Sequence, residues 1–265
     1  MWNSRRVSLL ILSIVAIAET IYTGCFTTPE IAAYNLHTAD PIERHPYFVS
    51  MEYNNSSFCG ATIISTKFVV TAASCIPPTG LQNLTLRGCT NTRNRSGRTY
   101  RIKEIIIHPD YTITKFGQPI NDIALILIKG RFGWRKKCKP IPFDPNYDIG
   151  KGSVSVVVGM GEIENGSRSD LLAVELPLVD ESDCNEVYKD FGGIADDQMC
   201  AGFFSSKGKG PCHGDEGGPL VYDDQLVGVY AKQFNKTCGD RYHPDVFTNV
   251  THHHKWISKT IRVPD

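Results

Sequence analysis

Short apolar runs dominate the hydrophobic pattern of this chain. Residues 47–53, 59–65, 68–72, 84–87, 101–108 and 123–128 are rich in Val, Ile, Phe and Thr, and clusters of Gly, Asn, Ser and Pro separate them. Such runs, bounded by turn formers, read as strands. A Pro-rich crossover at 139–148 interrupts the series, and a second set follows at 153–159, 171–178, 198–202, 219–222, 225–231 and 246–249. The spacing predicts an all-β chain of two packed Greek-key barrels, each of about six strands. Helical spacing closes the chain, where Val250, His253 or His254, Ile257 and Ile261 recur and Thr251 is placed to cap. One helix is therefore expected.

The first residues follow a different pattern. Arg5 and Arg6 precede an apolar run at 7–18 that ends in Ala16-Ile17-Ala18, a small-x-small cleavage site. This is the three-part pattern of a secretory signal, and the run is shorter than the ~20 residues a membrane span needs. The expected organisation is a signal peptide at 1–18, a propeptide-like segment at 19–44 carrying Cys25, and a domain at 45–262 whose lobes cover about 45–138 and 149–250. Nine cysteines without a Cys-x-x-Cys pair suit an oxidising compartment better than a zinc site. Sequons begin at Asn54, Asn55, Asn83, Asn94, Asn165, Asn235 and Asn249, a density that fits a secreted glycoprotein. Lys plus Arg and Asp plus Glu both total 28. That balance makes no electrostatic case for nucleic acid or an anionic membrane as partner.

Candidate chemistry centres on His213-Gly214-Asp215-Glu216-Gly217-Gly218-Pro219-Leu220, which follows Cys212. Its form, G-D-x-G-G-P-L, resembles the nucleophile loop of the chymotrypsin/trypsin family of serine proteases. Three further stretches resemble that family: Cys59-Gly60-Ala61 with Val70-Thr71-Ala72-Ala73-Ser74-Cys75, then Asn121-Asp122-Ile123-Ala124-Leu125, then Asp245-Val246-Phe247-Thr248-Asn249-Val250 with Trp256. The last of these, with Ile42-Glu43-Arg44-His45-Pro46-Tyr47, resembles insect members in style.

The resemblance implies a Ser-His-Asp triad, in which an imidazole takes and returns the proton of the nucleophile and a carboxylate orients it. Asp122 fills the carboxylate position, but Ser74 stands where the family has histidine and Glu216 where it has serine. The oxyanion region maps to Gly214 and Asp215, and the Glu216 side chain is expected to fill it. The family's activation site, Ile/Val-Val-Gly-Gly after Arg, falls at Ala33-Tyr34-Asn35-Leu36-His37, which carries none of those features. The substrate pocket maps to Gly210, Ala231, Lys232, Gln233 and Asp245, with the Asn235 sequon on its rim.

The same resemblance implies disulfides Cys59–Cys75, Cys184–Cys200 and Cys212–Cys238. Cys138 is left to pair with Cys89 or with Cys25, and either choice leaves an odd thiol. The loop at 89–100, which binds calcium in some family members, carries no carboxylate, so no calcium is expected. His252–His254 do not share a helix face and are read as helix surface with one half-buried ring rather than a metal site. No cofactor is expected. The implied protein is a secreted, non-catalytic protease homologue that binds proteins such as active proteases, their substrates or their inhibitors. The alternative is an active endopeptidase rewired through Ser74 and Glu216, with His213 available as an imidazole.

Overall fold

A computed structural model describes residues 40–133, 136–146, 149–150, 152–163, 166–203, 210–231, 238–240 and 242–262. The expected signal at 1–18, most of the expected propeptide-like segment, Cys25, and the sequons at Asn165 and Asn235 lie outside the described residues.

The two predicted sets of strands close into two six-stranded antiparallel barrels. The first is built from β1 (Phe48–Tyr53), β2 (Ser56–Ile63), β3 (Phe68–Thr71), β4 (Leu84–Gly88), β5 (Arg98–Ile107) and, after the short ribbon β6 (Thr112–Ile113) and β7 (Pro119–Ile120), β8 (Ala124–Ile128). Around the barrel their order is β1-β2-β3-β8-β5-β4. The second contains β9 (Val154–Gly159), β10 (Leu172–Val179), β11 (Gln198–Ala201), β12 (Pro219–Tyr222), β13 (Gln225–Tyr230) and β14 (Asp245–Asn249), in the order β10-β11-β14-β13-β12-β9.

Alternation explains the faces. In β4, Leu84 and Leu86 are buried while Thr85 and Arg87 are only partly covered, the period of two that a half-buried strand requires. The Arg87 guanidinium then forks onto Glu52, whose carboxylate is wholly buried, through Nε–Oε1 at 2.5 Å and Nη2–Oε2 at 3.1 Å. β8 is buried at every position, as expected of a strand paired on both sides under other layers.

The boundaries differ from expectation where polar residues take strand geometry. β2 begins at Ser56 rather than at 59, because Asn54 and Asn55 at φ 50° and 63° form a two-residue turn that pairs Tyr53 with Ser56. β5 begins at Arg98 rather than at 101, its buried Tyr100 and Ile102 flanked by exposed Thr99 and Arg101.

A second helix, α1 (Glu181–Tyr188), corrects the expectation of one. Its eight residues bury only Cys184 and Tyr188, too little apolar surface to create a readable period. Helix α2 (Val250–Ile261) closes the chain as expected, but its cap is Asn249, whose side-chain oxygen accepts from the N–H groups of Thr251 and His252. The chain passes from β14 straight into α2, so the last strand residue becomes the cap instead of Thr251. His253 is buried rather than half-buried, with Nε2 3.7 Å from Asp197 Oδ2.

Disulfides join Cys59 to Cys75, Cys89 to Cys138, Cys184 to Cys200 and Cys212 to Cys238. Of the two pairings open for Cys138, the structure holds the one to Cys89.

Candidate functional site

The site lies where the two barrels meet. From the first barrel, β3 ends in a single 3-10 turn, Ala73–Cys75, that presents Ser74 to solvent while the disulfide to β2 anchors the turn. Asp122 sits just before β8, fully buried. Ser74 closes on it with two bonds: its N–H donates to Oδ1 at 2.7 Å and its hydroxyl to Oδ2 at 2.8 Å. Burial pushes the Asp122 carboxyl up to about 6, against the donors from Ser74 and the Ala73 N–H, while the charge of Asp197 adds to the rise.

From the second barrel comes the loop before β12. Gly217 has φ 79°, and a Cβ there would run into Thr71 and the Gly60 carbonyl, 2.5 Å away. Only glycine fits such a turn against a neighbouring backbone. The Gly60 N–H donates to the Glu216 carbonyl at 2.7 Å and the Gly217 N–H to the Tyr230 carbonyl at 2.8 Å, fixing the loop to both barrels.

Asp215 turns inward. Its Oδ1 accepts from the Gly161 N–H at 2.6 Å and its Oδ2 from the Cys212 N–H at 2.9 Å. Burial pushes its carboxyl up to about 7 despite those two donors; the Glu216 charge raises it further and the Arg168 charge opposes. A cavity of about 20 Å³ adjoins it, lined by Gly159, Gly161, Gly210 and Pro211 among others. That is room for a single water.

Glu216 turns the other way. Its Oε2 accepts from the Gly214 N–H at 2.6 Å, and its Oε1 lies 3.7 Å from His213 Nδ1. The carboxylate therefore occupies the backbone donor at the head of the loop. His213 is about half exposed and touches the site only at this rim.

In the pocket region, a Cβ on Gly210 would collide with the Asp245 carboxylate, so these two candidates meet as adjacent walls. Ala231 is buried, its N–H donating to the Val246 carbonyl at 3.2 Å. Lys232 and Gln233 lie outside the described residues. Among the sequon positions, Asn54, Asn55 and Asn83 are exposed, whereas the side-chain oxygen of Asn94 accepts from the Ser57 N–H and that of Asn249 caps α2.

Two arginines at this edge escaped the sequence reading. Arg168 lies against Gly214 and donates from Nη1 to the Ser57 carbonyl at 2.9 Å, and Arg93 Nη2 donates to the same oxygen at 2.8 Å. They come from loops far apart in sequence, so no spacing could have joined them.

Comparison with known proteins places this geometry in a family. The trypsin family model matches residues 34–257. The chain is 33% identical over 225 residues to trypsin epsilon of Drosophila erecta, a match covering 83% of this chain and 84% of the relative. It is 32% identical over 224 residues to trypsin 5G1 of Aedes aegypti, covering 83% and 81% respectively. A solved structure of neuropsin, a serine protease expressed in the limbic system of mouse brain, superposes with a TM-score of 0.76 at 25% identity, over 85% of this chain and 98% of that one. With two closed barrels joined at a G-D-x-G-G-P loop, and relatives matched across most of their length, the chain belongs to the trypsin family of serine proteases.

Proposed function

We propose that this chain is a secreted trypsin-family homologue that does not cleave peptides and acts by binding other proteins in extracellular proteolytic networks. The observation that carries the reading is the bond from the Gly214 N–H to the Glu216 carboxylate. Acyl transfer needs preformed donors at a vacant position where negative charge develops, and here an anion of the chain already holds one.

The proton-transfer side supports the same reading. Asp122, which in the family orients an imidazole, here accepts from the N–H and the hydroxyl of Ser74. In an unrelated protease with this kind of triad, loss of the serine or the histidine alone costs roughly a millionfold in turnover, about 8 kcal/mol. Asp215 accepts from two backbone N–H groups, which gives its carboxyl partners without an inserted chain terminus. Partners follow from the scaffold: a trypsin-like surface without turnover can occupy a protease, its substrate or its inhibitor.

The rewired reading makes Ser74 the nucleophile and Glu216 its base. It is disfavoured because the Ser74 hydroxyl proton points to Asp122 and the Glu216 carboxylate is engaged by Gly214. Turnover of a broad peptide library by the purified secreted chain, beside the double variant Ser74→His with Glu216→Ser, separates the two. The expected result is silence from the native chain. Cleavage that survives repurification and disappears in Ser74→Ala overturns the proposal and makes the chain a protease of altered mechanism.

A further inference from the structure

The far end of the β3–β8 pair carries a second, unassigned site. β3 and β8 run antiparallel, pairing Phe68 with Leu127 and Thr71 with Ala124. Ser74 and Asp122 therefore lie beyond one end of the pair, and Lys67 and Lys129 beyond the other. A four-residue strand at ~3.3 Å per residue separates the two ends by roughly 13 Å or more.

At that second end a depression of about 310 Å³ opens, ringed by Lys67, Lys103, Lys129 and Arg131 over a floor of Leu127 and Ile128. Its described lining contains four cations and no carboxylate. Glu104 is exposed next along β5 but does not line it.

Backbone irregularities build this cluster. The register between β5 and β8 shifts between Ile102 and Glu104, which leaves Lys103 as the extra residue of a bulge. Bulges re-aim side chains, and here a lysine is turned out beside the end of β8. Gly130 at φ 94° reverses the chain between Lys129 and Arg131. The Phe132 N–H then donates to the Thr66 carbonyl at 2.8 Å, docking this turn next to Lys67.

The charge excess is local. The whole chain balances 28 cations against 28 carboxylates, yet residues 129–139 carry six Lys or Arg and no Asp or Glu. Lys136, Lys137 and Lys139 are exposed, and Lys137 meets Glu43 at 3.3 Å. The overall balance that argues against a polyanionic partner averages this segment away.

We propose that this face binds a sulfated polysaccharide of the heparan class. Three of the four lining cations are lysines, compact point charges on flexible stems that suit several separate sulfates. Among the described residues no aromatic side chain lines the depression, so they offer no stacking platform of the kind single-stranded nucleic acid uses. Four disulfides suit an oxidising compartment, and the choice of a sulfated glycan as the polyanion rests on the secreted setting proposed above. The site stands apart from Ser74 and Glu216, so it holds whether or not the chain cleaves peptides.

The test is binding of a heparin octasaccharide to the intact purified chain across a salt series. Neutralising Lys103, Lys129 and Arg131 together to Ser weakens binding at physiological salt by roughly a hundredfold, and lowers the slope of log affinity against log salt by about two to three. Neutralising Lys189, Lys255 and Lys259, exposed cations of the second barrel's helical segments, leaves both values unchanged. Equal effects from the two triple variants, or none from the first, overturn the proposal. So does tighter binding to an RNA oligonucleotide or a phosphatidylserine vesicle than to the octasaccharide. Acetylation of the unmutated chain gives a reading independent of variant folding: the octasaccharide shields Lys103 and Lys129, and their full reactivity in its presence overturns the site.

Discussion

Asp122 and Asp215 are both buried aspartates beside the barrel junction, and their environments differ in one respect. Asp122 is held by a neighbouring side chain as well as by backbone, and Ser74, which holds it, faces solvent. Asp215 is held by two backbone N–H groups, those of Gly161 and Cys212, both in loops. Burial raises both carboxyls, to about 6 and about 7 respectively. Donors lower a carboxyl pKa, and desolvation or a like charge raises it; Asp122 accepts from Ser74 and the Ala73 N–H, whereas Asp215 has two donors and the Glu216 charge beside it, so Asp215 ends higher. The comparison teaches that one of these aspartates is open to reassignment by its neighbours, whereas the other is part of the frame.

The largest expected difference is in stability on truncation. At pH 5, where both carboxyls carry their protons, Asp215→Ala leaves the Cys212 and Gly161 N–H groups buried without an acceptor, at about 1–3 kcal/mol each. Asp122→Ala costs less, because exposed Ser74 supplies two of its donors and only the Ala73 N–H is left buried. Urea unfolding of the two variants measures this, and equal losses break the comparison.

A smaller effect lies in the pH dependence. Both folded-state values lie above the ordinary aspartate value of 3.8, so the folded chain binds protons that the unfolded chain releases. Their stabilising contribution is complete below about pH 4 and is lost as pH rises through about 6 for Asp122 and about 7 for Asp215. Unfolding free energy measured from pH 4 to 8 is expected to have its slope between pH 4 and 6 roughly halved in either Asp122→Asn or Asp215→Asn, and to lose the part between pH 6 and 7 only in Asp215→Asn. An unchanged profile in Asp215→Asn would show that its carboxyl is charged throughout.

The smallest effect sharpens the role of Ser74. Ser74→Ala removes one donor to Asp122, costs about 1 kcal/mol, and moves the Asp122 titration upward while leaving that of Asp215 in place. Carboxyl carbon NMR shifts followed against pH check this directly.

Much of the architecture was legible because β-branched runs and Gly or Asn turns carry their own local physics. The two sets of strands emerged from that pattern alone, and the family motifs ordered Ser74, Asp122 and Glu216. What stayed hidden depends on tertiary contacts. Helix α1 buries two side chains and is tied by Cys184 to β11, so little in its own sequence announces it. The choice of Asn249 over Thr251 as cap depends on how β14 enters α2. Gly161, which supplies a donor to Asp215, and Arg168, which lies on Gly214, come from an irregular loop without periodicity. Lys103 looked like one more polar strand residue until the bulge turned it outward.

The close approach of β2 to the loop before β12 has a wider consequence. A Cβ added to Gly60 would lie 2.8 Å from the Gly218 Cα and 2.9 Å from its nitrogen, so the two barrels touch there backbone to backbone. The glycines of the loop are thus a hinge pin between two halves, required by carpentry whatever residue stands at 216. A signature written around them identifies the joint, and it would read the same in a working enzyme and in a chain that had given up cutting.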